Sequence, residues 1–144
     1  MKKTDNEIKL EAIYQVPVGQ VWEALTELDR MQKWFFSNIP NFTATIGFKT
    51  EFAVQSEDRL FIHLWEIIDV VVEKRISYRW RYRDYDGDSH VIFELEELTH
   101  GTRLCLRVRI LEDFPDSIPE FRRESCITGW EYFLQSSLKS HLEP

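Results

Sequence analysis

The spacing of hydrophobic and polar residues changes period several times along the chain, and each change marks an element. Ile8, Leu10, Ala12 and Tyr14 alternate with Lys9, Glu11, Ile13 and Gln15, the rhythm of a half-buried strand. Pro17 then opens a run in which Val18, Val21, Trp22, Leu25 and Leu28 recur at helical spacing, and residues 29–36 read as a second short helical turn. Residues 42–46, a turn at Gly47 and residues 48–54 read as a hairpin, with Phe48, Thr50, Phe52 and Val54 on one face. Four longer alternating runs follow at 60–72, 75–83, 89–98 and 102–111. Finally, Ser117-Ile118-Pro119-Glu120 has the form of a capping box. Behind it a helix is expected to about Leu142, with Ile127, Trp130, Phe133, Leu134 and Leu138 as its apolar stripe.

Two-residue turns at Glu73-Lys74, Asp86-Gly87 and His100-Gly101 would fix the pairing of the long strands. Counting outward from them sets Ile67 beside Trp80, Trp80 beside Phe93 and Phe93 beside Val108, an apolar row. The same count sets Glu66 opposite Arg81, Arg79 opposite Glu94 and Glu94 opposite Arg107, so the other face carries cross-strand ion pairs. A slip of one residue would put arginine beside tryptophan throughout.

The order is therefore strand, two short helices, further antiparallel strands and a long C-terminal helix. This is an α+β plan with a curved sheet of about seven strands gripping one helix across its aromatic face. No repeat or linker interrupts it, and residues 1–144 are expected to form a single domain. Composition sharpens this picture at one point. The chain has 10 Phe, 5 Trp and 5 Tyr, 14% aromatic, so its rings either thicken the core or wall a hollow.

Charge and motifs mainly exclude. With 18 basic and 25 acidic residues the net charge is −7, and such a field repels phosphate, which argues against nucleic acid or an anionic membrane surface as partner. No apolar run approaches the length of a membrane span, and the first residues turn acidic with no hydrophobic stretch behind them, so a cytoplasmic location is expected. Cys105 and Cys126 suit free, buried thiols rather than a disulfide framework. The four histidines are dispersed, and no phosphate-binding, dinucleotide or nucleophile-elbow motif is present. Neither cofactor nor metal is expected. The acidic stretches 84–88 and 112–116 do not match a calcium loop and read as solvated turns.

The residues nonetheless resemble a known family. Val16-Pro17 followed by Val21-Trp22-Glu23-Ala24-Leu25, then Lys33-Trp34-Phe35, Ile76-Ser77-Tyr78-Arg79-Trp80, Phe93-Glu94-Leu95-Glu96-Glu97, Gly101-Thr102-Arg103-Leu104 and Gly129-Trp130-Glu131-Tyr132-Phe133-Leu134 are similar to the START-like, or SRPBCC, superfamily. Its helix-grip fold is shared with birch-pollen allergen. Within it the chain most resembles the group related to the C-terminal domain of the activator of the ninety-kilodalton heat-shock chaperone's ATPase. The resemblance spans about Ile8 to Leu142 and marks fold rather than activity. It implies the helix-grip architecture, a cavity for a hydrophobic small molecule in many relatives, and chaperone binding in some. Two departures stand out: only one such domain is present, and Ile46-Gly47-Phe48 carries one glycine where relatives often have a pair.

By the strand count, Phe61, His63, Trp65, Ile67, Asp69, Tyr78, Trp80 and Tyr82 face inward, with Val91, Phe93, Leu95, Leu106, Val108 and Ile110 beside them and Trp130 and Phe133 on the helix. With Trp34 and Phe52 added, the expected ligand-binding wall is Trp34, Phe52, Phe61, His63, Trp65, Ile67, Tyr78, Trp80, Tyr82, Phe93, Val108, Trp130 and Phe133. The alternative is that the same rings simply fill the interior. His63 near Tyr82 is the most suggestive polar group, but no second partner stands at telling spacing and no residue is singled out as catalytic. The arginines Arg79, Arg81, Arg83, Arg103, Arg107 and Arg109 interleave with Glu66, Glu94 and Glu96, which reads as a neutralised outer ladder. The expected function is binding of an apolar or aromatic small molecule between sheet and helix, more a binder than an enzyme. A chaperone-directed interaction module and a cyclase or aromatase are the alternatives.

Overall fold

The computed structural model describes all 144 residues. It is an α+β structure with one six-stranded antiparallel sheet in the order β1-β6-β5-β4-β3-β2. The strands are β1 (Ile8–Tyr14), β2 (Lys49–Ser56), β3 (Arg59–Val71), β4 (Arg75–Tyr82), β5 (Asp88–Leu98) and β6 (Gly101–Glu112). The helices α1 (Val18–Thr26) and α2 (Leu28–Trp34) follow β1, and α3 (Arg123–Glu131) leads through a π-helical stretch (Tyr132–Ser137) into α4 (Leu138–Leu142). Consecutive strands β2 to β6 pair by hairpins, and β1 returns to the far side of β6, Ile8 beside Val108 and Tyr14 beside Thr102.

The sheet has one strand fewer than the sequence suggests, because residues 42–46 do not pair. Their backbone folds into a turn, with Thr45 and Phe48 amides bonding to the Thr43 and Thr45 carbonyls and Gly47 N–H donating to Ile67. Phe42 instead turns inward, edge-on to Trp65 and Tyr78. The second half of the expected hairpin is a strand, with Thr50 and Phe52 buried on one face.

The three registers counted from turns all differ in the structure, by an even number of residues except between the β3 bulge and the β3–β4 turn and at Asp88, where the difference is one. Trp65 pairs with Trp80 and Ile67 with Tyr78, Trp80 with Ser89 and Ile76 with Phe93, and Phe93 with Leu106 and Val91 with Val108. The cause lies in the turns. Between β3 and β4 Glu73 takes a left-handed conformation, φ 61°; between β4 and β5 residues 83–87 form a longer loop; and β5 turns into β6 at Thr99-His100, with Leu98 beside Gly101. Gly101 is therefore not a turn residue. Its φ is 125°, and a side chain there would run into the Tyr14 carbonyl of β1, so glycine permits the closing approach of two strands. Because side chains alternate with period two, even shifts keep each residue on its expected face.

Asp69 is the exception. A bulge between Ile67 and Asp69 shifts the register by one residue, turning Asp69 outward to bond Arg75 Nε and Val70 toward the core. The outer ion pairs are rewired accordingly. Glu66 lies beside Arg79, Arg79 bonds Asp88 at 2.7 Å, and of the expected pairs only Glu94 with Arg107 remains, at 2.6 Å. Asp88 is thus a buried partner of Arg79 rather than part of a solvated turn.

The capping box does not form. Residues Pro119–Phe121 make one 3₁₀ turn and the helix starts at Arg123. The Glu120 carboxylate turns to the β2–β3 hairpin, accepting from Ser56 Oγ and Arg59. From there Trp130, Leu134, Leu138 and Leu142 are the buried side chains of the helix, a strict four-residue repeat. On an α-helix of 3.6 residues per turn such a row drifts by about 40° at each step. The wider π turn at Tyr132–Ser137 slows that drift and keeps the row against the sheet. Tyr14, on β1, donates its hydroxyl to the Leu134 carbonyl inside this stretch at 2.7 Å.

Candidate functional site

Three consecutive aromatics at the end of α2 decide what lies between sheet and helix. Trp34 is anchored by its indole N–H to the Ala24 carbonyl of α1 at 2.6 Å, and its own carbonyl accepts from Ser137 Oγ of the C-terminal helix. With the backbone so held, Phe35 and Phe36 project into the space under the helix. Phe35 stacks on Trp34 with centroids 4.5 Å apart and meets Phe133 edge-on at 4.9 Å; it also reaches Trp65 and Trp130. Phe36 fills the neighbouring volume against Phe52, His63 and Phe133. Such ring contacts add to the burial that drives packing.

The aromatic wall is therefore present and mostly filled. Trp34, Phe52, Trp65, Ile67, Tyr78, Phe93 and Val108 are packed in the core. Phe61 lies at the far end of β3 against Tyr82, Tyr85 and Phe121. What stays open is a pocket of about 150 Å³ at the N-terminal end of the helix. Of the expected wall, His63, Trp80, Tyr82, Trp130 and Phe133 line it. Sequence reasoning missed Met1, Phe36, Glu120, Phe121, Ser125, Cys126 and Gly129, which line it too. The signal for Gly129 was in plain view. A glycine inside a helix costs about 1 kcal/mol relative to alanine, and here a methyl at its Cα would meet nothing within 4 Å.

The pocket's polar groups are few. His63 is 94% buried, since its relative exposure is 6%, and its Nδ1 lies 3.2 Å from the Phe61 carbonyl, which makes Nδ1 the protonated nitrogen. Its ring stacks on Phe52 at 4.9 Å and meets Tyr82 edge-on at 4.8 Å. Burial pushes its pKa down to about 4 against the opposing pull of the Phe61 carbonyl, so the imidazole is neutral near pH 7. The Tyr82 hydroxyl accepts from Trp80 Nε1 at 3.0 Å, and burial raises its pKa. Cys126 is half-buried and free, its thiol pushed up to about 11 chiefly by burial; a protonated thiol is a poor nucleophile. Cys105 sits on β6 in the outer face, also half-buried rather than fully buried. No group of three or more His, Cys, Asp or Glu side chains converges as a metal site.

A family profile described as "Activator of Hsp90 ATPase homolog 1-like protein" matches residues 15–143. The chain belongs to this family. Its members' helix-grip architecture accounts for the single long helix laid over a curved sheet, and it is seen in solved structures of similar chains. Protein CV1439 from Chromobacterium violaceum is 24% identical, covers 98% of its own length against 96% of this chain, and superposes with a TM-score of 0.78. The Aha1 dimer from Colwellia psychrerythraea is 19% identical over 96% of this chain and 97% of that one, TM-score 0.74. DynU16, a protein of the dynemicin biosynthetic locus, is 23% identical with a TM-score of 0.73, over 96% of this chain but 48% of its own. At these identities the likeness is one of fold. No curated protein sequence matches significantly. No helix is long and apolar enough to cross a membrane.

Proposed function

We propose that this Hsp90-activator-homologue domain binds a small apolar or aromatic molecule at the pocket between β3, β4 and α3. The observation that carries this reading is the pocket open to solvent beside the exposed Gly129, walled chiefly by Phe36, Trp80, Tyr82, Phe121, Trp130 and Phe133 and facing a neutral His63. A mostly apolar pocket of about 150 Å³ holds a molecule of benzene size, whereas ligands that need about 300–1,000 Å³ would require Phe36 or Phe133 to swing away. His63 Nε2 makes no hydrogen bond within the protein and supplies an acceptor for a ligand hydroxyl or N–H. The occupant is therefore uncharged, ring-sized and carries one donor, as a phenol or an indole does.

The family's description supports a second reading, a chaperone-directed module, and the cyclase or aromatase alternative requires His63 to move a proton. No hydrogen bond joins His63 to Glu120, whose carboxylate is already bonded to Ser56 and Arg59. Thermal-shift titration with phenol and indole, on the wild type and on Gly129→Leu, tests the binding reading. The wild type is expected to gain melting temperature with ligand concentration, and Gly129→Leu, its pocket plugged, to fold normally and show no gain. Equal shifts in both, or none in either, would overturn it.

A further inference from the structure

The outer face of the sheet carries a second and larger concavity, on the opposite side from the ring-lined pocket and independent of it. It measures about 580 Å³ and is floored by β2, β3 and β4, with Pro40 and Asn41 as its rim along the sheet's edge. Although the protein's net charge is −7, this groove is cationic: Lys49, Arg79, Arg81 and Arg83 line it against Glu51 and Glu66.

The arginines are not equivalent. Arg79 bonds Asp88 at 2.7 Å and Arg83 bonds Glu51 at 2.6 Å, while Lys49 and Glu66 stand opposite one another. Arg81 stands between them, exposed, with Leu64 as its cross-strand neighbour and in no ion pair, although Glu51 and Glu66 line the same groove. It would have paired with Glu66 in the register the turns suggest; the two-residue shift is what frees it. A guanidinium without an ion-pair partner is suited to a planar carboxylate fork.

We infer that this groove binds an extended acidic peptide segment, with one carboxylate on the unpaired Arg81 and its neighbours two residues away in each direction facing the guanidinium N–H groups that Arg79 and Arg83 keep beyond their bonds to Asp88 and Glu51. The spacing supports a peptide. Arg79 and Arg81 lie on one face of β4 and Arg83 is the residue just past its end, so the three follow one another at two-residue intervals, about 7 Å apart, and acidic side chains at alternate positions of an extended strand have the same interval. The groove is open at the sheet's edge, so a chain can enter and leave it, and Leu64 offers contact to the residue lying between two acids.

Fluorescence anisotropy at low salt, with a labelled Glu-Thr-Glu-Thr-Glu peptide and the full chain, tests this. A Kd of about 1 mM or tighter is expected, weakening with added salt and at least about tenfold weaker in Arg81→Glu and Arg81→Gln. Both variants should melt as the wild type does, because Arg81 makes no ion pair. The ring-pocket variant Gly129→Leu should bind the peptide unchanged, which separates this site from the first. No binding to several millimolar, equal binding by the Arg81 variants, equal binding of a Glu-Glu-Glu-Thr-Thr peptide, or tighter binding of tripolyphosphate or oligothymidylate would each overturn the assignment.

Discussion

The two faces of the one sheet respond differently to the same displacement. When each hairpin slides by an even number of residues, the inner face loses nothing. Trp80 meets Trp65 and Ser89 instead of Ile67 and Phe93, and the small serine leaves room for the indole while its hydroxyl bonds the Trp80 carbonyl. On the outer face the same slide breaks two of the three expected ion pairs, Glu66 with Arg81 and Arg79 with Glu94, and leaves Arg81 alone. Burial of apolar area is non-directional and accepts any ring in reach, whereas an ion pair needs a particular partner at a particular place. Inner contacts thus define the fold, and outer ones distribute charge for whatever the face meets.

If that contrast holds, inner-face truncations dominate stability. Phe35→Ala is expected to cost about 3–5 kcal/mol, measured by urea denaturation. A loss below about 1 kcal/mol would mean that Phe35 is not what fills the space under the helix.

His63 sharpens the comparison next, through pH. Its folded pKa of about 4 lies below the ordinary 6.5, so the unfolded chain takes up the proton first. The corresponding stability is present above pH 6.5, lost as pH falls toward 4, and amounts to about 3 kcal/mol. His63→Phe should flatten stability between those limits; an unchanged slope would place the acid sensitivity elsewhere. Burial lowers the pKa of His90 and His141 in the same direction, so a residual slope of lesser size is expected to remain.

Tyr14→Phe comes third. It removes the bond to the buried Leu134 carbonyl at the π stretch and should cost about 1–3 kcal/mol. At the small end is the outer face. Glu94→Ala, which unmakes the half-exposed pair with Arg107, should cost about 0.2–1 kcal/mol, less in high salt. A larger loss there than at Tyr14 would reverse the contrast between the faces.

The sequence carried the inner face well for a specific reason. Alternation assigns a residue to a face whatever its partner, so Trp65, Tyr78, Trp80, Tyr82 and Phe93 were placed inward without knowing the register. Partners depend on where a turn closes, and there the composition misled. Gly101 is required by the approach of β1, not by the turn beside it, and Glu73 and Asp84 take left-handed conformations that favour glycine. The bulge that turns Asp69 outward has no mark in the alternation. The pocket was half legible: His63, Trp80, Tyr82, Trp130 and Phe133 came from the strand and helix periods. Phe35 and Phe36, which reduce a hollow to a small pocket, fall inside the helical turn read at 29–36, but α2 ends at Trp34 and helical spacing does not assign them a face.

Xenon pressure on crystals of the wild type reads the pocket directly, since xenon settles among apolar side chains. One strong site is expected among His63, Trp80, Gly129 and Phe133, with its disappearance in Gly129→Leu. Xenon absent from that position, or bound there undiminished in the variant, would contradict it.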